Sequence, residues 1–369
     1  MTSCTIFVNS LLQRKQPKPY VVFLGPMKNL ILFIFTAFAI TACDNTLDIN
    51  ADYDVQNVVY GLLDKDDDTQ WVRLHRTYLG TDRLLAGATH ADSLYFDSAA
   101  LYLTQLNDQG NVLNTYELFR KDTNILEPGT FTTDNYRMYW TDAPIDPAYE
   151  YRLKGFIPGN NNFEAITPVV GNVEITKPKG FQKVTFGVRN AEFGWDAARN
   201  ARMYQGYIHF RYKEAPRSNP KDSVVKKLTY ALPVRTGSNL NGSGTFTSEL
   251  SYEAYYRFLY NNIGPTDDLV RIFKGIDVEI WAAADDYATY INVNQPSQGI
   301  VQEKPMFTNV DGGIGLFSSR GRAIKKNVKL SASSMDSLWR GVHTCGMGWV
   351  DFQGIDSVVC EDGFPVVIN

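Results

Sequence analysis

From residue 55 to residue 170 the chain repeats one grammar: a β-type run, a cluster of turn formers, another β-type run. Val55–Leu63 is rich in Val, Leu and Tyr, Asp64–Thr69 interrupts it, and Trp71–Leu79 resumes with β-branched and aromatic residues. That is the pattern of a hairpin with a solvated tip. Leu101–Leu106 and Val112–Phe119 flank Asn107-Asp108-Gln109-Gly110, where Gly110 supplies a turn conformation that other residues adopt poorly. A strand is expected near Tyr136–Trp140 after the Pro128-Gly129 turn, and a further pair, Tyr149–Ile157 and Phe163–Val170, across Pro158-Gly159-Asn160-Asn161. Many short strands with frequent turns and no long helical pattern predict a sandwich or barrel.

Lys177-Pro178-Lys179-Gly180 marks the expected internal boundary. Beyond it, Val184–Val188, Trp195, Ala201, Tyr204 and the alternating Ile208, Phe210 and Tyr212 resemble a fibronectin type III sandwich, in which a core tryptophan on one strand packs against aromatics on the next. One helix is expected after Ser251, which can cap it, with Glu253 in the first turn. Tyr252, Tyr255, Tyr256, Leu259 and Ile263 follow the helical period, and Gly264-Pro265 ends it. Gly275–Ala284 returns to strand, and Ser334–Arg340 reads as a short final helix. The expected fold is therefore mainly β: two immunoglobulin- or fibronectin-III-like β-sandwich domains, 55–177 and 178–369, the second carrying one or two inserted helices and a cysteine-containing tail.

The charge is unevenly placed. The chain carries 36 Lys+Arg against 40 Asp+Glu, a net charge of −4. Residues 1–42 hold four of the basic residues (Arg14, Lys15, Lys18, Lys28) and no acidic one, which leaves 32 against 40, or −8, from Cys43 onward. Such a balance argues against a nucleic-acid partner, whose binding wants a basic footprint. A hydrophobic content of 44% and an aromatic content of 13% argue against disorder.

Residues 1–42 read as a signal region. Met27-Lys28-Asn29 leads into thirteen largely apolar residues, Leu30–Ala42, and then Cys43. A secretory signal has an apolar run of roughly 7–15 residues, whereas a membrane-spanning helix needs about 20. Residues 1–26, with Pro17, Pro19 and Pro26, do not behave as part of that signal, so translation is expected to start at Met27. Ile40-Thr41-Ala42-Cys43 resembles the bacterial lipobox, the site where lipoprotein signal peptidase cuts before a lipidated cysteine. The alternative is ordinary secretion with cleavage after Ala39. Lipidation of Cys43 implies several acyl chains, and two or more anchor a protein stably. Residues 43–54 are then a lipidated tether. Cys345 and Cys360 remain as a pair in an oxidising compartment. They could close a loop worth ~3 kcal/mol, or be two buried thiols.

No chemistry declares itself. His75, His90, His209 and His343 show no metal-ligand spacing, and there is no HExxH, GxSxG or GxxxxGK[ST] pattern. Asp64–Thr69 alternates carboxylates as a calcium loop does, but Thr69 stands where the loop needs glycine and His75 where it needs glutamate. Asp311-Gly312-Gly313-Ile314-Gly315 departs from the strand–GxGxxG–helix plan and reads as a turn or bulge entering a strand, and Asp285-Asp286 reads as a helix or turn start. No cofactor is implied. The remaining lead is aromatic: Trp71, Tyr139, Trp140 and Trp339 are candidate ligand-facing rings, against the alternative that they are core and cross-strand pairs.

Several stretches together resemble a family of β-rich, lipobox-bearing lipoproteins from Bacteroidetes: the lipobox, Val58–Asp64, Trp71-Val72-Arg73-Leu74, and Lys304–Val310 running into Gly313–Arg320. That family has no established activity, so no catalytic residue carries over. The resemblance implies an envelope protein, sometimes encoded beside TonB-dependent outer-membrane transporters. The acidic tract common after the cysteine of surface-exported members is thin here, with Asp44 and Asp48 alone, so either face of the outer membrane is open. The expected function is non-enzymatic: an outer-membrane lipoprotein serving as a binding or accessory subunit of envelope machinery, with a TonB-dependent transporter as one partner. The alternative is a surface lipoprotein that binds glycans through exposed Tyr and Trp.

Overall fold

The computed structural model describes residues 55–77, 94–123, 136–187, 189–295 and 306–350. The signal region, Cys43, the tether, His90 and Cys360 lie outside the described residues.

The fold is mainly β. Fifteen strands and three short helices are described. The hairpins fall where the turn chemistry places them: β1 (Asn57–Asp64) with β2 (Gln70–Arg76), β3 (Ala100–Leu106) with β4 (Val112–Thr123), and β6 (Glu150–Phe156) with β7 (Phe163–Pro168). Between the last two hairpins runs β5 (Tyr136–Thr141). The later strands are β8 (Glu174–Lys177), β9 (Ala191–Asp196), β10 (Met203–Pro216), β11 (Val224–Ala231), β12 (Arg235–Thr236), β13 (Thr245–Leu250), β14 (Leu269–Ala283) and β15 (Gly313–Val328).

Twelve strands form one continuous sheet in the order β11-β10-β14-β15-β1-β2-β5-β4-β3-β6-β7, with β12 beside β10. A smaller sheet has the order β13-β9-β8. The large sheet turns a corner at β4, whose first part pairs with β3 and whose last five residues, Phe119 to Thr123, pair with β5. This folding places Val59, Val72 and Leu74 against Leu103, Tyr151 and Leu153 in one buried cluster. Beyond β7, Glu164 bridges to Asp311 just before β15, with backbone bonds of 2.9 and 2.8 Å. The N-terminal sandwich is thus β4-β3-β6-β7 facing β5-β2-β1-β15.

The C-terminal sandwich packs β10, β14 and the second part of β15 against the small sheet. Trp195 and Tyr204, both wholly buried, lie 6.3 Å apart in its core, with Ile208, Phe210 and Tyr212. Two helices close this core. Helix α1 (Tyr252–Ile263) begins where the Ser251 side chain accepts from the Ala254 N–H and ends at Gly264. Its Tyr255 ring stacks on Phe186 at 3.9 Å. Helix α3 (Ala332–Arg340) is capped by Ser331. The third, α2 (Asp285–Asn294), follows β14 directly, so Asp285 and Asp286 stand in a helix's first turn, where their charge suits the dipole. No helix among the described residues is long and apolar enough to cross a membrane.

Two sequence expectations change. The Val184–Val188 strand reduces to an isolated bridge between Val184 and Leu330, and Val188 lies outside the described residues. The boundary near residue 177 is also not a clean division of the pairing. β15 lies late in the sequence, yet its first eight residues run parallel to β1, Asn57 opposite Gly313 through Asp64 opposite Arg320. Its later residues pair antiparallel with β14. Gly315 permits the close approach: its φ is +121°, and an added Cβ would fall 2.0 Å from the Val59 carbonyl oxygen. Ser319, wholly buried, ties the two sandwiches by donating to Pro168 O at 2.7 Å and accepting from Val170 N–H at 3.0 Å.

Candidate functional site

Strand alternation puts one set of side chains in the core and the other on the outer face of the large sheet. On β2, Val72 and Leu74 point inward, and Trp71, Arg73 and His75 point outward. Register then aligns outward residues across three strands: Trp71 sits opposite Trp140, and Trp140 opposite Phe119. The ring centroids are 6.4 Å and 5.8 Å apart, tilted by 40° and 50°. Trp71 is 37% exposed and Phe119 51%. Lys121 places its ammonium 5.6 Å from the Trp71 ring, and the Arg73 guanidinium lies 4.7 Å over Tyr136 on the same face. The row offers apolar ring surface with cationic donors beside it, a combination suited to stacking and to accepting polar or anionic groups.

Two of the four sequence candidates, Trp71 and Trp140, are brought together here. The other two are not. Tyr139 points to the opposite side of β5 and is 3% exposed, a core residue with no face to offer a ligand. Trp339 is half-buried on α3, packed against the C-terminal core, with its indole N–H lacking a protein acceptor. Phe119 completes the row and was not singled out. Its alternation with Leu118 was visible, but the β4–β5 register that brings it to Trp140 was not.

The same outer face continues across β1 and β15. Tyr60 stacks on His75 at 6.3 Å and meets Tyr290 of α2 edge-on at 6.1 Å. Burial, with a hydrogen bond to Tyr290, pushes the Tyr60 hydroxyl up to about 12. Burial, with the nearby Arg73 charge, lowers His75 to about 4, so its ring is neutral near pH 7. Farther along, Trp281 of β14 is flanked by two guanidinium groups, Arg320 at 4.9 Å and Arg322 at 5.2 Å. Arg320 also reaches Asp64 at 3.3 Å and Asp67 at 3.2 Å. Beside Trp281, a cleft of about 410 Å³ runs under α2, lined by Gln205, Tyr207, Tyr287, Ile291 and Arg320. Trp281 was not among the sequence candidates, although its outward alternation with Glu279 and Asp277 was a usable signal.

The described histidines stay apart. His209 bonds Thr229 at 2.9 Å and Glu279 at 2.7 Å, and His343 bonds Glu253 at 2.7 Å. Among the described residues no group of three His, Cys, Asp or Glu side chains could hold a metal ion. Cys345 is disulfide-bonded. Its expected partner, Cys360, lies outside the described residues.

No family model and no curated protein matches the chain. Among solved structures, trypsin-activated alpha-2-macroglobulin from Escherichia coli is similar at 12% identity and a TM-score of 0.16, over 63% of this chain and 14% of that one. The matched region spans 14% of that protein's length.

Proposed function

We propose that this chain is a lipid-anchored, non-enzymatic binding protein of the bacterial envelope. Cys43 holds it to the outer membrane, and the outward aromatic row of Trp71, Trp140 and Phe119 takes its partner. The row is the observation that carries the reading, because adjacent large apolar rings left in solvent mark interaction surfaces more often than stability devices. A TonB-dependent transporter or another envelope protein is the partner class the lipoprotein resemblance favours. The packing of Trp195 against Tyr204 supports a fibronectin-III-like ancestry for the C-terminal sandwich. The test is affinity capture from detergent-solubilised envelope at native expression. An envelope protein that co-purifies with the wild type and is lost with Trp71→Ala/Trp140→Ala supports the reading. Recovery of the chain alone counts against it. Anchoring is tested separately: fatty-acid labelling of the wild type is expected to be lost in Cys43→Ser.

A second reading has its own support. Lys121 beside Trp71 and Arg73 over Tyr136 place donors next to ring faces, the arrangement a glycan uses. A glycan array with the wild type and the double tryptophan variant decides it, and silence of the wild type removes it.

A further inference from the structure

The loop after β8 carries a phenylalanine that no described residue covers. Phe181 is fully exposed. It rides on a closed turn, in which Gln182 N–H donates to Lys179 O at 2.8 Å and Lys179 N–H donates to the Gln182 side-chain oxygen at 3.0 Å. The turn is fixed to the body, because Lys325 donates to Pro178 O and Val184 N–H donates to Lys329 O at 2.9 Å. The ring is therefore presented on a held platform.

Its surroundings are basic in a chain that is acidic. Lys177, Lys179 and Lys183 flank the ring in sequence, and Lys325 and Lys329, at and just after the end of β15, bond to the same loop. Glu192, which lines the concavity beside the loop, is paired with Lys177. Among the described residues Lys179, Lys183 and Arg189 make no ion pair. A concavity of about 530 Å³ next to the loop is lined by Lys177, Lys183, Arg189, Asn190 and Glu192.

We infer that this Phe-tipped basic end docks on an anionic phospholipid bilayer, the ring entering the headgroup–acyl boundary and the lysines and Arg189 meeting headgroup phosphates. An aromatic ring set among lysines matches an interface that is apolar beneath and negative above. The charge complementarity is local: from Cys43 onward the net charge is −8, so the whole chain has no general attraction to such a surface. The inference presupposes the exported, membrane-associated reading, but it concerns a contact distinct from the acyl anchor.

The experiment uses the mature chain from residue 44 onward, so that neither an acyl chain nor the apolar leader holds it. It is sedimented with vesicles of equal parts phosphatidylglycerol and phosphatidylcholine, and with phosphatidylcholine alone. Binding to the anionic vesicles is expected to exceed binding to the neutral ones and to fall as salt rises. Phe181→Ser is expected to lower the partition about tenfold, and Lys179→Glu with Lys183→Glu at least as much, at about fivefold per lost lysine. Both sites are exposed, so circular dichroism and melting should be unchanged. Equal partition of Phe181→Ser and the parent on anionic vesicles overturns the inference. Absence of fatty-acid labelling on the wild type would instead count against the acyl anchor, so the two readings fail separately.

Discussion

Arg271 meets Glu214 at 2.8 Å, and the two side chains are 4% and 9% exposed. Arg271 also donates to Gly264 O at 2.9 Å and Met347 O at 2.6 Å, so one guanidinium joins β10, the end of α1 and the segment after α3. Burial alone would push the Glu214 carboxyl up. Hydrogen bonds and charges from Lys226 and Arg271 outweigh that and hold it below its ordinary range. Removing the anion leaves a buried cation without its partner. Glu214→Ala is expected to cost about 3–5 kcal/mol in urea unfolding, and an unchanged midpoint would show that the pair is dispensable.

His75 makes stability depend on pH. The fold keeps the ring neutral down to about pH 4, whereas an unfolded chain protonates it near 6.5. Between those values the unfolded chain binds a proton that the fold excludes, so stability falls as pH falls through the window. The contribution is roughly 3 kcal/mol at 1.36 kcal/mol per pKa unit. His75→Gln should flatten the stability–pH curve between pH 6.5 and 4 relative to wild type. Parallel curves would refute the assignment.

Gly315 is the point at which β15 approaches β1. A Cβ there would strike the Val59 carbonyl oxygen and would strain a backbone at φ +121°. Gly315→Ala is expected to cost on the order of 3 kcal/mol or more. Amide exchange should show β1 losing protection before β10 does, since β10 pairs with β11, β12 and β14 and not with β1 or β15.

The aromatic row should separate function from stability. Its rings contact one another at the surface, where such pairs are worth ~0.5–1.5 kcal/mol each. Trp71→Ala/Trp140→Ala is therefore expected to lower the melting temperature only modestly while reducing partner or glycan binding at least tenfold. Tyr139→Ala, on the buried side of the same strand, should behave in the opposite way, with a stability loss of about 3–5 kcal/mol.

Hairpins were legible because their determinants are local. Asn107–Gly110 turns β3 into β4, and Ser251 with Gly264 bounds α1 in sequence as in space. The packing of Trp195 on Tyr204 was legible for the same reason, nine residues apart on neighbouring segments. What did not show was pairing across long separations. Gly313–Arg320 reads as a glycine-rich entry to a strand, and nothing in those residues names Asn57–Asp64 as the neighbour. Alternation tells which residues share a face but not which strands lie side by side. Thus Trp71 and Trp140 could be suspected individually, while Phe119 and the guanidinium groups around Trp281 could not be assembled.

The shared strand also sets a schedule. β1 ends at Asp64 and its parallel neighbour starts at Gly313, so about 250 residues separate them. A ribosome adding ~5–20 residues per second takes roughly ten to fifty seconds to make that interval. Throughout it, β1 has one unpaired edge able to template a wrong partner. Production of this protein in the cytosol, without its export signal, should therefore depend on what shields the nascent N-terminal half. Yield should respond to holding chaperones and slower initiation more than to substitutions that raise the melting temperature.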